Sequence, residues 1–152
     1  MCFYKFYKLG ITHEFVGRRE RKLGRHKIAE EDLVCYKVVY RRDDNSWWSL
    51  YQDFVYENGK TYTEDCYSLE SLDKFNCLEE GVFHSYCSLA TAAKASFSSG
   101  HKTSIIECII PKGTPYWESD RGCEYASTSI KIVGKYVGDL LLLSAVTYAM
   151  AL

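Results

Sequence analysis

Residues 54–63, FVYENGKTYT, carry the strongest local signal in the chain: an Asn58-Gly59 pair between two flanks rich in aromatic and β-branched residues. Asn and Gly tolerate the positive φ that a type I′ turn demands, and such flanks suit a pleated, half-buried surface. The segment predicts a β-hairpin in which residues 54–57 pair with 60–63 across Asn58-Gly59. A sheet containing such a hairpin has antiparallel neighbours.

Upstream, residues 32–41 (DLVCYKVVYR) are Val- and Tyr-rich and end at Asp-Asp-Asn-Ser, which predicts a strand. Downstream, residues 64–80 are acidic, with weak helical spacing at Leu69, Leu72 and Phe75. Residues 81–86 (GVFHSY) give a short strand, and Ser88 is placed to cap a helix over 89–97 that Gly100 closes. Residues 104–110 (SIIECII) predict a buried strand stopped by Pro111, residues 112–115 (KGTP) a turn, and 125–133 (YASTSIKIV) a last strand. The order predicts a single α+β domain with a mixed or largely antiparallel sheet, the Asn-Gly hairpin and one main central helix.

The two ends differ in character from this body. Residues 1–27 hold eight Lys or Arg against two Glu, a basic leader in a chain whose net charge is only −1. Such a leader can grip phosphate, stay solvated, or dock on the acidic body. With no nucleic-acid motif beside it, nucleic acid is not the expected partner. Residues 137–152 are apolar and end in LLLLSAVTYAMAL, shorter than the ~20 residues a membrane-spanning helix needs. They are expected to pack on the 28–136 domain as a helix or final strand, with no membrane involved.

At 152 residues the chain has the length of one ordinary domain, and its 15% aromatic content favours a sheet. The seven cysteines (Cys2, Cys35, Cys66, Cys77, Cys87, Cys108 and Cys123) form no CxxC and no zinc-finger spacing with the four His. No metal site is expected. Cys35 and Cys108 sit in apolar, strand-like runs, where a thiol behaves as a small hydrophobe. The start, MCFYKFYKLG, lacks the apolar core of a signal peptide. Reduced thiols in a cytoplasmic protein are the expectation.

The spaced set Phe54, Tyr56, Glu57, Gly59, Lys60, Tyr62; Glu79, Glu80, Gly81, Phe83, His84; Ile106, Ile110, Pro111, Gly113; and Tyr125, Ala126, Ser127, Ile130, Lys131, Ile132 is similar to small domains common in phage and prophage proteins. The resemblance spans roughly residues 28–134 and implies a phage or mobile-element setting, with the host cytoplasm as compartment. A second, weaker resemblance joins Gly81-Val82-Phe83-His84-Ser85, the following helix, and the strand ending in Pro111-Lys112-Gly113-Thr114 to ADP-ribosyltransferase-like folds. It implies that Tyr36, Lys37 and Arg41 lie near a phosphate, that His84 and Ser85 hold a ribose, and that Glu124 stands near the position of a catalytic glutamate. The chain departs from the arginine-serine-glutamate pattern: Ser127-Thr128-Ser129 follows Glu124 rather than preceding it, and no E-x-E is present.

From the residues themselves, His84 is the leading site candidate, because it ends a strand just before a helix whose free N–H groups favour an anion. Tyr86 adjoins it, Lys60 beside the turn is a phosphate candidate, and Ser127 and Ser129 are expected on one strand face with Tyr125. There is no P-loop, dinucleotide fingerprint or G-x-S-x-G. The expectation is a non-catalytic phage or prophage accessory protein binding a small nucleotide-like ligand or a host protein through Tyr36, Lys37, Arg41, Lys60, His84, Ser85, Tyr86, Ser127 and Ser129. No resident cofactor is expected, and NAD or a related nucleotide enters as ligand. The alternative is an ADP-ribosyltransferase-like enzyme acting on NAD or a ribose phosphate through His84 and Glu124. Convergence of His84, Tyr36 and a carboxylate within hydrogen-bond reach favours the enzyme, and aromatic walls without it favour binding.

Overall fold

Ten strands and two short helices make up the described part of a computed structural model of the chain, which covers residues 25–50, 53–74, 78, 81–98, 103–119 and 124–136. In order they are β1 (Lys27–Ile28), β2 (Leu33–Asp43), β3 (Ser46–Ser49), β4 (Val55–Glu57), β5 (Thr61–Thr63), α1 (Leu69–Lys74), β6 (Phe83–Tyr86), α2 (Leu89–Ser98), β7 (Ser104–Ile110), β8 (Pro115–Glu118), β9 (Glu124–Ser127) and β10 (Ser129–Tyr136). Strand takes 52% of the described residues and helix 16%, so the expected α+β domain built on a central helix is corrected to a β-rich fold. The helix expected over 89–97 forms, with the Ser88 hydroxyl accepting from the Thr91 amide at 3.1 Å. It lies on the outside of the sheet and organises no layer of its own. The leader, Gly100 and the 137–152 segment lie outside the described residues, except for the leader's last three residues.

Every strand pairing is antiparallel, in the order β1-β8-β9-β6-β2-β7-β10-β5, with β3 on β2 and β4 on β3. The Asn-Gly hairpin does not form. β4 pairs with β3, whereas β5 pairs with β10, so the two flanks of the turn diverge. Gly59 has φ 80°, no non-glycine residue among those described has positive φ, and the Lys60 amide donates to the Glu57 carbonyl at 3.2 Å. That is the pattern of a type II turn, which needs positive φ at one residue, rather than a type I′ turn, which needs it at two. Asn58 is diverted to tertiary work: its side-chain oxygen accepts from the Trp47 indole at 2.8 Å. The turn thus makes a corner that joins β4 to β5 and completes a circuit of β2, β3, β4, β5, β10 and β7.

The strand expected over 125–133 is two strands. β9 pairs with β6 and β8, and β10 with β7 and β5, with a bend at Thr128 between them. Ser127 and Ile130 are both fully buried although an odd number of residues apart, because the bend resets the alternation of period two.

Alternation then sorts each strand onto two faces. The inner face carries the main core: Cys35 and Val39 of β2, Trp47, Tyr56, Phe83, Ile106, Cys108 and Ile110 of β7, and Ile130 and Ile132 of β10. On the outer face α2 packs Ala92 and Ala93 against Val38 and Ile105. Nearby, Leu72 of α1 meets Val82, Trp117 and Ala126. Asp73 pins this second cluster by accepting from the His26 amide at 2.8 Å, the His26 ring at 2.9 Å and the Trp117 indole at 2.9 Å. Burial raises the Asp73 carboxyl, but these hydrogen bonds outweigh it and hold the group below its ordinary value. His26 and Lys27, read from sequence as the end of the basic leader, are therefore joined to the folded body, Lys27 through β1 and an ion pair with Glu118.

Candidate functional site

The sequence-predicted site residues fall into three groups, and strand alternation explains the division. Arg41 and Lys60 are exposed and engaged locally, Arg41 with Asp44 and Lys60 with Glu57. Ser129 bonds the Thr63 hydroxyl at 3.1 Å beyond the Thr128 bend. These three do not join the others.

The second group lies on the outer face. Tyr36 stands opposite both Glu107 and Tyr86, and Tyr86 opposite Glu124, so Glu107, Tyr36, Tyr86 and Glu124 form one row across four strands. His84 is one step along, opposite Ala126, and only 7% exposed. Burial drives its pKa well below the ordinary value, so the ring is neutral at physiological pH. Burial, followed by the Glu107 charge, raises the Tyr36 phenol. Glu124 is two strand spacings, about 10 Å, from Tyr36, with Tyr86 between them. Glu107 is thus the carboxylate directly opposite Tyr36, while Glu124 stands beyond Tyr86.

The third group lies on the inner face and is the one the fold brings together. Because Tyr36 is opposite Tyr86, the next residues along β2 and β6, Lys37 and Ser85, stand side by side on the other face. Lys37 is 3% exposed, donates from Nζ to the His84 carbonyl at 2.5 Å, and holds its ammonium 5.1 Å from the centre of the Tyr56 ring. A cation over an aromatic face in a dry interior is stabilised by the ring quadrupole. Ser85 is opposite Tyr125 on β9, and two residues along that strand Ser127 is opposite Phe83 and Tyr116. The buried Oγ atoms of Ser85 and Ser127 meet no hydrogen-bond partner of normal geometry among the described residues. Ser85 does contact the Cys35 thiol. Burial pushes that thiol up to about 11, and the Ser85 contact and Lys37 offset the rise only in part. Cys108, directly opposite Cys35, is raised well above its ordinary value by burial. Both stay protonated at neutral pH and serve as packing, not as nucleophiles.

A buried hydroxyl without a partner costs about 1–3 kcal/mol. Ser85 beside the buried Lys37 ammonium, with Ser127 on the same face one strand further and two residues along, marks a polar patch inside an apolar core, with donors suited to an anionic oxygen. From Lys37 the patch runs through Ser85 to half-buried Tyr125 and Glu118 on β9 and β8. Sequence reasoning named Lys37, Ser85 and Ser127 but grouped them with His84, Tyr36 and Tyr86, which the pleat turns the opposite way. It missed Tyr56, Tyr116 and Cys35 as neighbours, since these meet the patch only through pairing between strands distant in sequence. Among the described residues no three His, Cys, Asp or Glu side chains are grouped to hold a metal, and no helix is long and apolar enough to cross a membrane. No family model, curated protein or solved structure matches the chain.

Proposed function

We propose that the protein binds a small, nucleotide-like ligand by its anionic oxygen group at the inner-face patch, without converting it. This suits the phage or prophage accessory role that the sequence resemblance implies. The observation that carries the reading is the buried Ser85 hydroxyl, whose one polar contact is the Cys35 thiol, beside the buried Lys37 ammonium, with the orphaned Ser127 hydroxyl on the same face. Hydrogen bonds from a charged donor to an anion are the strong kind, and in a low-dielectric site they fix orientation as well as affinity. Arg41 and Lys60, engaged with their own carboxylates at the surface, drop out of the ligand set.

The test is calorimetric titration of adenosine 5′-monophosphate, ADP-ribose and NAD into the full chain and its Lys37→Met variant. Methionine keeps the length and burial of the side chain; it removes the cost of a buried charge and, against that, the donor to the His84 carbonyl, two effects of opposite sign on stability. Wild type is expected to bind at least one probe. The variant should keep its thermal midpoint and lose about 10- to 100-fold in affinity, the worth of a charged hydrogen bond. Equal binding by both proteins, or no binding of any probe, contradicts the reading. Consumption of NAD that disappears in Glu124→Gln would replace it with the transferase-like alternative.

A further inference from the structure

We infer that the inner-face site selects ligands whose anionic group is joined to a flat aromatic ring system, and that Tyr125 is the stacking platform that sets this preference. The inference rests on the ligand reading above and extends it to a specificity-determining residue. Tyr125 occupies the same inner-face row as Lys37 and Ser85: Ser85 is its direct neighbour on β6, and Lys37 is two strand spacings away, about 10 Å. The anion-binding residues and the tyrosine therefore stand on one face of the sheet within two strand spacings.

Burial changes along the row in the required order. Lys37 and Ser85 are both 3% exposed, while Tyr125 and Tyr116 are half-buried. A ligand that places its charged end at Lys37 therefore extends toward Tyr125 where the row approaches the surface. Tyr116 packs against Tyr125 edge to face, with ring centres 5.7 Å apart and planes at 89°. A perpendicular pair of this kind, seated on the edge of the core, holds the Tyr125 ring in a fixed orientation. Burial, with smaller contributions from Cys87 and Glu118, pushes its pKa up to about 12, so the ring stays neutral and suited to stacking. Bases stack on aromatic side chains whatever their identity, so the preference is for a flat ring system rather than for one base.

Two probes that differ only in the ring system test this: adenosine 5′-monophosphate and ribose 5-phosphate, titrated into wild type, Tyr125→Ala, Tyr125→Phe and Lys37→Met. Wild type should prefer the nucleotide by about ten-fold or more. Tyr125→Phe should keep that ratio, and Tyr125→Ala should bring it close to one while leaving ribose 5-phosphate affinity nearly unchanged. Lys37→Met should weaken both probes together and keep the ratio. If both probes bind and Lys37→Met weakens both, yet Tyr125→Ala leaves the ratio intact, the platform is wrong and the anion site stands. If neither probe binds, or Lys37→Met changes neither, the anion site fails and the platform fails with it. Should Tyr125→Ala prove unfolded, the decision passes to Tyr125→Leu, which fills the volume without a ring face and is expected to lose the ratio.

Discussion

Replacing Trp117 with alanine should cost about 3–5 kcal/mol, enough to leave a large share of the protein unfolded at 37 °C. The side chain is fully buried and forms the centre of the cluster with Leu72, Leu78, Val82 and Ala126, which attaches α1 to the outer face of β8, β9 and β6. Its indole N–H also fills one of the three hydrogen bonds on Asp73, and its ring edge meets His26 at 6.0 Å. Truncation thus opens a cavity among residues that cannot all collapse into it and removes a donor from a carboxylate stabilised by hydrogen bonds. Urea titration followed by far-ultraviolet circular dichroism should show a large fall in midpoint with an unchanged slope. A fall smaller than about 1 kcal/mol would show that the cluster is not packed as described.

Gly134→Val is expected to be nearly as damaging, at about 3 kcal/mol or more. Gly134 has φ 82°, a conformation that costs a branched residue heavily. A side chain there would also overlap the Asn58 amide, which packs against the glycine. Displacing Asn58 breaks its bond with the Trp47 indole and disturbs the corner between β4 and β5, where the Gly59 amide donates to the Ile132 carbonyl. Strain, overpacking and a lost buried hydrogen bond then act at one place. Gly59→Val, by contrast, puts its side chain into open space and meets only the backbone strain, so it should cost clearly less. If the two substitutions had equal effects, the contact between Asn58 and Gly134 would be ruled out.

That contrast also shows where the sequence was legible. β2, β6, β7 and the Ser88-capped helix could be read because each signal is local: β-branched runs, a Pro111 stop, a capping serine. The Asn58-Gly59 turn was also legible as a turn. What its flanks pair with was not, because a type II corner and a type I′ hairpin share their composition and differ in long-range partners. β3, with Trp47 buried and Trp48 exposed, is too short for its alternation to stand out. The bend at Thr128 divides a run whose composition is continuous. The site suffered from the same limit: Lys37, Ser85 and Ser127 could be picked by residue type, but only pairing registers show that they share a face and that His84 and Tyr36 do not.

The most direct test of the inner-face site is the affinity for adenosine 5′-monophosphate of the Ser85→Ala/Ser127→Ala double variant, read by calorimetry beside its thermal midpoint. If the two hydroxyls are only buried structural groups, removing them relieves a desolvation penalty: the midpoint stays level or rises, and affinity is untouched. If they are ligand contacts, the midpoint still stays level or rises, but nucleotide affinity falls by about 10- to 100-fold, two lost polar contacts in a desolvated site. A stable double variant that binds the nucleotide as tightly as wild type would contradict the central claim.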